Sequence, residues 1–322
     1  MSQDATPGNR LSHFPVTLFT VTMGLGGFAL ALRAGESAAN LPHAASPIAL
    51  LAAVLAFVVI AVFYLAKSVR FPAAIFAEWS HPARMAFFPA ISVSLLLLAT
   101  AALPYLDVAS FVWLVATVLQ GVLTLAVVAS WVGVRSFQTA HVSPAWFIPA
   151  VGNVVVPIAG AGLGFTDVSW LFLSGGLVFW LALLTLVMNR LIFHDPLPSR
   201  LLPTLAILIA PPAVGFLAYV GLTDKIDSFA RILLNAAYVF ALVVATQVPR
   251  LFRLPFAVSW WALSFPVAAL TLASFRYGEL VGNPFFTGLG FGLLSLLTVI
   301  ILALLWRTGR AVAGGQICVP EA

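Results

Sequence analysis

The side chains that could do chemistry lie outside the apolar stretches of this chain. No Asp, Glu, Lys or Arg falls at the centre of an apolar run, and no nucleophile elbow, phosphate-binding loop or HExxH motif occurs. This pattern supplies no proton relay, paired carboxylates or buried counter-ion within a membrane, so it disfavours an enzyme and a proton-coupled transporter. The polar residues within the runs look isolated from one another: Thr22, Gln120, Asn153 and Asn235.

Four histidines precede apolar runs and are the remaining candidates for chemistry: His13, His81, His141 and His194. They could gather into a metal site, but single histidines at a membrane surface are more often solvated or cap a helix. The single cysteine, Cys318, lies in a polar tail and offers neither a disulfide nor a metal site. We therefore predict no metal and no cofactor.

The composition places these residues in an integral membrane protein. Of the 322 residues, 62% are hydrophobic and 8% are charged, whereas about a quarter are charged in soluble proteins. The isoelectric point near 9.9 would suit nucleic-acid binding, but the basic residues are scattered singly between apolar runs. The lipid bilayer, and not nucleic acid, is the predicted partner.

Ten apolar runs predict ten membrane-spanning helices and an all-α fold. The runs cover 14–32, 47–66, 85–103, 108–132, 145–164, 168–188, 201–222, 228–247, 257–275 and 284–306. We expect a channel domain at 14–307 between tails at 1–13 and 308–322. The first run could instead be a signal peptide, but its Pro15 and its glycines match features of the later runs.

The distribution of Lys and Arg predicts the orientation. Eleven of the 15 lie on the side that holds both termini, which predicts cytoplasmic termini in a bacterial-type inner (plasma) membrane.

Odd-numbered runs differ from even-numbered runs throughout the chain. Each odd run begins with two prolines: Pro7 and Pro15, Pro82 and Pro89, Pro144 and Pro149, Pro196 and Pro203, and Pro249 and Pro255. This repeat predicts five helical hairpins in one orientation, with kinked odd helices around a central pore and straight even helices outside. Glycines of the even runs, such as Gly176 and Gly290, are interpreted as sites of close packing.

The predicted kinks of the odd helices lie at helix-breaking residues. The proposed kink or pore-lining residues are Gly24, Gly27, Pro89, Gly152, Pro157, Pro211, Pro212 and Pro266. Pro266 has no N–H for the Ala262 carbonyl, which predicts a bend in the middle of the ninth run beside Phe265. Helices interrupted midway expose N–H groups near the midplane, a pattern that favours anions.

Three motifs resemble the TehA family of bacterial tellurite-resistance and dicarboxylate-transport proteins and plant guard-cell slow anion channels. They are Ser259–Pro266, Glu78–Arg84 leading into Phe87–Pro89, and Pro149–Asn153. The resemblance covers nearly the whole chain. It implies a quasi-five-fold arrangement of hairpins, one pore in each protomer, a homotrimer, and occlusion of the pore by Phe265.

Two functions are compatible with these features. The first is a gated channel for small inorganic or organic anions, closed by an apolar constriction at Phe265. The second is a secondary transporter of C4-dicarboxylates such as malate, or of oxyanions such as tellurite or sulfite. A transporter needs a polar cluster at its midplane site, and the isolation of the polar residues favours the channel. A packed aromatic is the alternative role of Phe265, and a structural membrane protein is the third possibility for the chain.

Overall fold

The computed structural model describes residues 10–133 and 137–319, and these residues form helices and no strand. The α-helices are α1 (Phe19–Ala38), α2 (Ala45–Arg70), α3 (Pro72–Ser80), α4 (Ala90–Ala102), α5 (Val108–Val132), α6 (Phe147–Gly160), α7 (Thr166–Phe193), α8 (Ala210–Thr223), α9 (Ser228–Ala245), α10 (Val248–Leu251), α11 (Ser264–Val281) and α12 (Pro284–Ala313).

The predicted membrane spans are present. Within the described residues, nine helical segments are long and apolar enough to cross a bilayer, and Pro144–Gly160 forms a shorter tenth segment. The ten runs were thus located correctly. Two short helices in the connections, α3 and α10, were not predicted, and α12 continues to Ala313, past the expected end at 306.

The odd spans are composite helices, and the even spans are single helices. Each odd span begins with a 3₁₀ segment that leads into an α-helix, whereas α2, α5, α7, α9 and α12 are uninterrupted. The 3₁₀ segments are Val16–Leu18, Met85–Phe87, Pro144–Trp146, Ser199–Ile209 and Val258–Leu263. The predicted difference between odd and even spans is therefore real, but it consists of a change of helix type.

Burial separates the two sets into an inner and an outer layer. In the four composite spans that are long enough to cross a bilayer, 72–78% of the most apolar stretch of 18 residues is buried. The same share is 17–33% in the five single helices. Large aliphatic side chains cover the exposed faces of the outer helices, as in Leu51 of α2 and Leu125 of α5. This is the arrangement expected when lipid, and not water, surrounds the protein.

The inner helices form a closed cycle. Helix α1 contacts α4, α4 contacts α6, α6 contacts α8, α8 contacts α11, and α11 returns to α1. Each outer helix packs beside the inner helix of its own hairpin, as α2 does with α1 and α12 with α11. These contacts agree with five hairpins around an axis, while five-fold symmetry is a stronger statement and stays a prediction.

Candidate functional site

A small apolar cavity lies among the inner helices where their 3₁₀ segments meet their α-helices. Its volume, taken as the space open to the centre of a water molecule, is about 20 Å³, and this is room for one or two waters. The lining residues are Thr20, Met23, Ile148, Val151, Ile207, Ala210, Trp261, Ala262, Phe265 and Pro266. All of them are uncharged, and the hydroxyl of Thr20 donates to the carbonyl of Thr17.

Phe265 is the second residue of α11 and is 5% exposed. Its ring lies against Gly27 of α1, where an added Cβ would be 3.2 Å from Phe265 Cδ2. Three other lining residues occupy the first or second position of their own α-helices: Thr20 of α1, Ile148 of α6 and Ala210 of α8. Equivalent positions of four inner helices therefore surround one cavity.

Pro266 lies beside a change of helix type in the ninth span. The 3₁₀ segment ends at Leu263 and α11 begins at Ser264, which places Pro266 third in the α-helix. The first-turn N–H groups of an α-helix have no partner within it, so a proline costs little there. The span changes helix type just before the proline, next to the position of the predicted bend, and the bend itself stays a prediction.

The prolines at the other junctions follow the same rule, whereas Pro157 in α6 and Pro203 in the 3₁₀ segment Ser199–Ile209 lie inside a helix. Pro149 is third in α6, Pro211 and Pro212 are second and third in α8, and Pro89 immediately precedes α4. Proline thus lies at four of the five junctions between a 3₁₀ segment and an α-helix. Each of these prolines was predicted as a kink residue or as one of the two prolines that begin an odd run.

The glycines expected to break helices instead allow two helices to approach. Helix α1 is continuous through Gly24 and Gly27. A Cβ at Gly24 would lie 2.1 Å from the Oγ of Ser264, and one at Gly152 would lie 2.3 Å from Nε2 of Gln120. Both helices continue through these glycines, which let α1 approach the inner helix α11 and α6 approach the outer helix α5.

Two of the N–H groups expected to be free at the start of the inner α-helices are bonded. The N–H of Ser264 donates to the carbonyl of Trp261, and the N–H of Ala210 donates to that of Ile207. Because the 3₁₀ segments accept these bonds, the first N–H groups of α8 and α11 are not available to an anion.

Three of the four polar residues predicted to be isolated have partners on other helices, whereas Asn235 of α9 donates to the Arg231 carbonyl of its own helix. Gln120 of α5 is fully buried and donates from Nε2 to the carbonyl of Pro149 at 3.0 Å and to Oδ1 of Asn153 at 3.2 Å. Its Oε1 accepts from Ser92 of α4 at 2.7 Å, and its Nε2 also donates to Thr124 at 2.9 Å. We call Ser92, Gln120, Thr124 and Asn153 the glutamine network. It ties an outer helix to two inner helices, away from the cavity lining.

A second polar pair joins the inner helices α1 and α4. Thr22 donates to Ser94 Oγ at 2.5 Å, and Ser94 Oγ also lies within hydrogen-bonding distance of the carbonyl of Phe19. Neither pairing could be read from the sequence, because the partners are far apart in the chain.

A buried ion pair holds the start of the first inner span. Nζ of Lys67 lies 2.8 Å from Oε2 of Glu78, and both side chains are at most 3% exposed. The other carboxylate oxygen of Glu78 accepts the N–H of Val16 at 2.8 Å, and Tyr64 donates its hydroxyl to Oε2. Lys67 also donates to the carbonyl of Phe14. Glu78 belongs to a motif noted in the sequence, but its role in anchoring the span was not predicted.

Two of the four histidines act as local caps. Nδ1 of His81 accepts from the N–H of Ala83, and Nδ1 of His141 accepts from the N–H of Gln138. Within the described residues, no group of three or more His, Cys, Asp or Glu side chains comes together.

A known protein family matches almost the whole chain. Residues 13–309 match the SLAC1 family profile, described as voltage-dependent anion channel. The chain belongs to this family. The match extends over all ten spans, so the family resemblance noted in the sequence is confirmed.

Relatives within the family come from archaea, plants and bacteria. An uncharacterized transporter of Methanocaldococcus jannaschii is 27% identical over 82% of this chain and 84% of its own length. The S-type anion channel SLAH3 of Arabidopsis thaliana is 28% identical over 77% of this chain but only 40% of its own length. A tellurite resistance protein TehA homolog of Haemophilus influenzae is 23% identical over 88% of this chain and 90% of its own length. The chain is thus a multi-pass membrane protein of an anion channel and transporter family.

Proposed function

We propose that this protein is a gated anion channel, with a pore through the five inner helices of each protomer and Phe265 as the plug. The observation that carries the proposal is the position of Phe265, which lines the apolar cavity between four of the five inner helices that form the closed cycle. The family and the names of the plant relatives support an anion as the permeating species.

The size and chemistry of the cavity support a closed state. A cavity that holds one or two waters is too small for an anion with its hydration shell. An anion without that shell loses many kcal/mol of solvation, and the apolar lining returns little of it. A constriction of this kind blocks ions by excluding water, so a small movement of one ring is enough to change the conductance.

The alternative is a secondary transporter of C4-dicarboxylates such as malate, or of oxyanions such as tellurite or sulfite. The name of the tellurite resistance protein TehA homolog supports the oxyanion part of this alternative. A transporter needs polar groups available to its substrate at mid-membrane. The glutamine network is the strongest candidate, but its groups bond to one another and to a backbone carbonyl. It therefore fits a structural link better than a substrate site.

The assembly and orientation complete the proposal. Both termini are placed in the cytoplasm, in a bacterial-type plasma membrane, on the basis of the Lys and Arg distribution. We propose a homotrimer in which outer helices meet. Gly288 and Gly292 of α12 are exposed and have open space beside them, which suits the close approach of a second helix.

Current through purified protein in planar bilayers tests the gate. We expect Phe265→Ala to raise anion current strongly and Phe265→Leu to raise it less, since leucine retains part of the plug. Phe240 of α9 is a half-buried aromatic of an outer helix, and Phe240→Ala should change stability and leave the current unchanged. A correctly assembled Phe265→Ala protein that stays as closed as the parent would refute the gate.

A further inference from the structure

The segment that carries the plug is tied to the end of the last outer helix. Nε1 of Trp261 donates to Oγ1 of Thr308 at 2.9 Å, across 47 positions of sequence. Trp261 is 1% exposed and lines the same cavity as Phe265. Thr308 is half-buried near the end of α12. The bond therefore joins a wall of the cavity to a helix outside the inner ring.

A second contact joins the same two elements. The guanidinium carbon of Arg307 lies 5.4 Å from the ring centroid of Trp260, within the range of a cation–π interaction. Trp260 and Trp261 both belong to the 3₁₀ segment that precedes α11, and this segment packs against α12. Adjacent tryptophans thus contact adjacent residues of α12.

Trp261 in turn contacts the turn that holds the plug. The carbonyl of Trp261 accepts the hydroxyl of Ser264 at 2.6 Å, and Ser264 is the residue before Phe265. The indole also lies against Gly24, where an added Cβ would be 3.1 Å from Cε3 of Trp261. A rotation of the indole would therefore change the cavity wall beside Phe265 and the contact with Gly24, while the backbone of the same residue is bonded to the first turn of α11.

We propose that Thr308 is a positioning residue of the gate, which fixes Trp261 and so holds Phe265 in the closed position. The end of α12 then becomes a place from which the pore is controlled. This inference rests on the proposed channel function and adds to it a residue outside the inner ring. A bond that exists in the closed state and is lost in the open state favours the closed population.

Three substitutions in α12 test this role. Thr308→Val keeps the shape of the side chain and removes the acceptor, while Thr308→Ser keeps the hydroxyl. Thr298→Val is the matched control, because Thr298 is a half-buried threonine of the same helix whose hydroxyl donates only to the Leu294 carbonyl. We expect Thr308→Val to raise the open probability by about fivefold, the effect of losing one typical hydrogen bond. Thr308→Ser should restore most of the closure, and Thr298→Val should match the parent.

A double variant separates this inference from the channel proposal. If Thr308 acts through the plug, Thr308→Val should add little to the current of Phe265→Ala. If Phe265→Ala conducts while Thr308→Val carries the same current as Thr298→Val or less, the inference fails and the channel proposal stands. A serine variant as open as the valine variant would also overturn the inference. Should Phe265→Ala remain closed, the proposed function itself fails.

Discussion

The contact between α1 and α11 at Gly24 leads to the most specific prediction about the packing of the inner helices. A Cβ added at Gly24 would lie 2.1 Å from Oγ and 2.8 Å from Cβ of Ser264. Rotation of the serine can move Oγ, but its Cβ is fixed to the backbone. Carbon atoms prefer separations of about 3.5–4.0 Å, so the two helices must separate by roughly half an ångström or more.

We therefore expect Gly24→Ala to destabilise the protein by about 1–3 kcal/mol, the usual cost of overpacking a well-packed site. Because the strain falls beside Phe265, the phenyl ring of Phe265 should move away from Gly27. The anion current should then rise. Thermal unfolding in mild detergent measures the first effect, and bilayer recording measures the second.

The matched control is Gly221→Ala in α8, an exposed position where the new Cβ meets nothing within 4 Å. Alanine is the better helix former by about 1 kcal/mol, so this variant should be as stable as the parent or more stable. If Gly24→Ala unfolds at the same temperature as Gly221→Ala, the inner helices are not in the tight contact described above, and the reasoning is refuted.

Three further predictions concern buried and surface polar groups. Glu78→Gln should cost about 3–5 kcal/mol because it leaves Lys67 buried without a counter-charge, and adding Lys67→Met should recover part of the loss in thermal unfolding. Gln120→Leu should cost about 1–3 kcal/mol by leaving its partners unbonded, and an unchanged melting temperature would contradict the glutamine network. Asp227 caps α9, and bonds from the Tyr219 hydroxyl and from backbone N–H groups lower the pKa of its carboxyl below the ordinary 3.8. The capping contribution is complete above pH 3.8 and is lost as the pH falls through the lowered value, so the melting temperatures of Asp227→Ala and the parent should converge in acid.

Much of the architecture could be predicted from the sequence, because lipid imposes strong rules on composition. Uninterrupted apolar runs give the spans, and the prolines at odd runs such as Pro149 and Pro266 mark the inner helices. The exact effect of these prolines was not predictable. A proline is compatible with a kink or with a helix start, and only the neighbouring hydrogen bonds decide between them.

The polar contacts were beyond prediction for a different reason. Gln120 and Asn153 lie on separate helices, and their meeting depends on the rotation of α5 against α6. The same holds for Trp261 and Thr308, which are joined only when α12 packs beside the 3₁₀ segment. Glycines such as Gly24 were predicted to break a helix, whereas they lie where two helices approach closely.

The central claim is that anions move down their gradient through the ring of inner helices when Phe265 is displaced. The most direct test is the reversal potential of the Phe265→Ala current across a tenfold gradient of potassium chloride. An anion-selective pore should reverse near the chloride equilibrium potential, about 59 mV in magnitude, with a current proportional to the driving force. A reversal potential of the opposite sign would contradict the account, as would absence of current in protein that exchanges labelled malate.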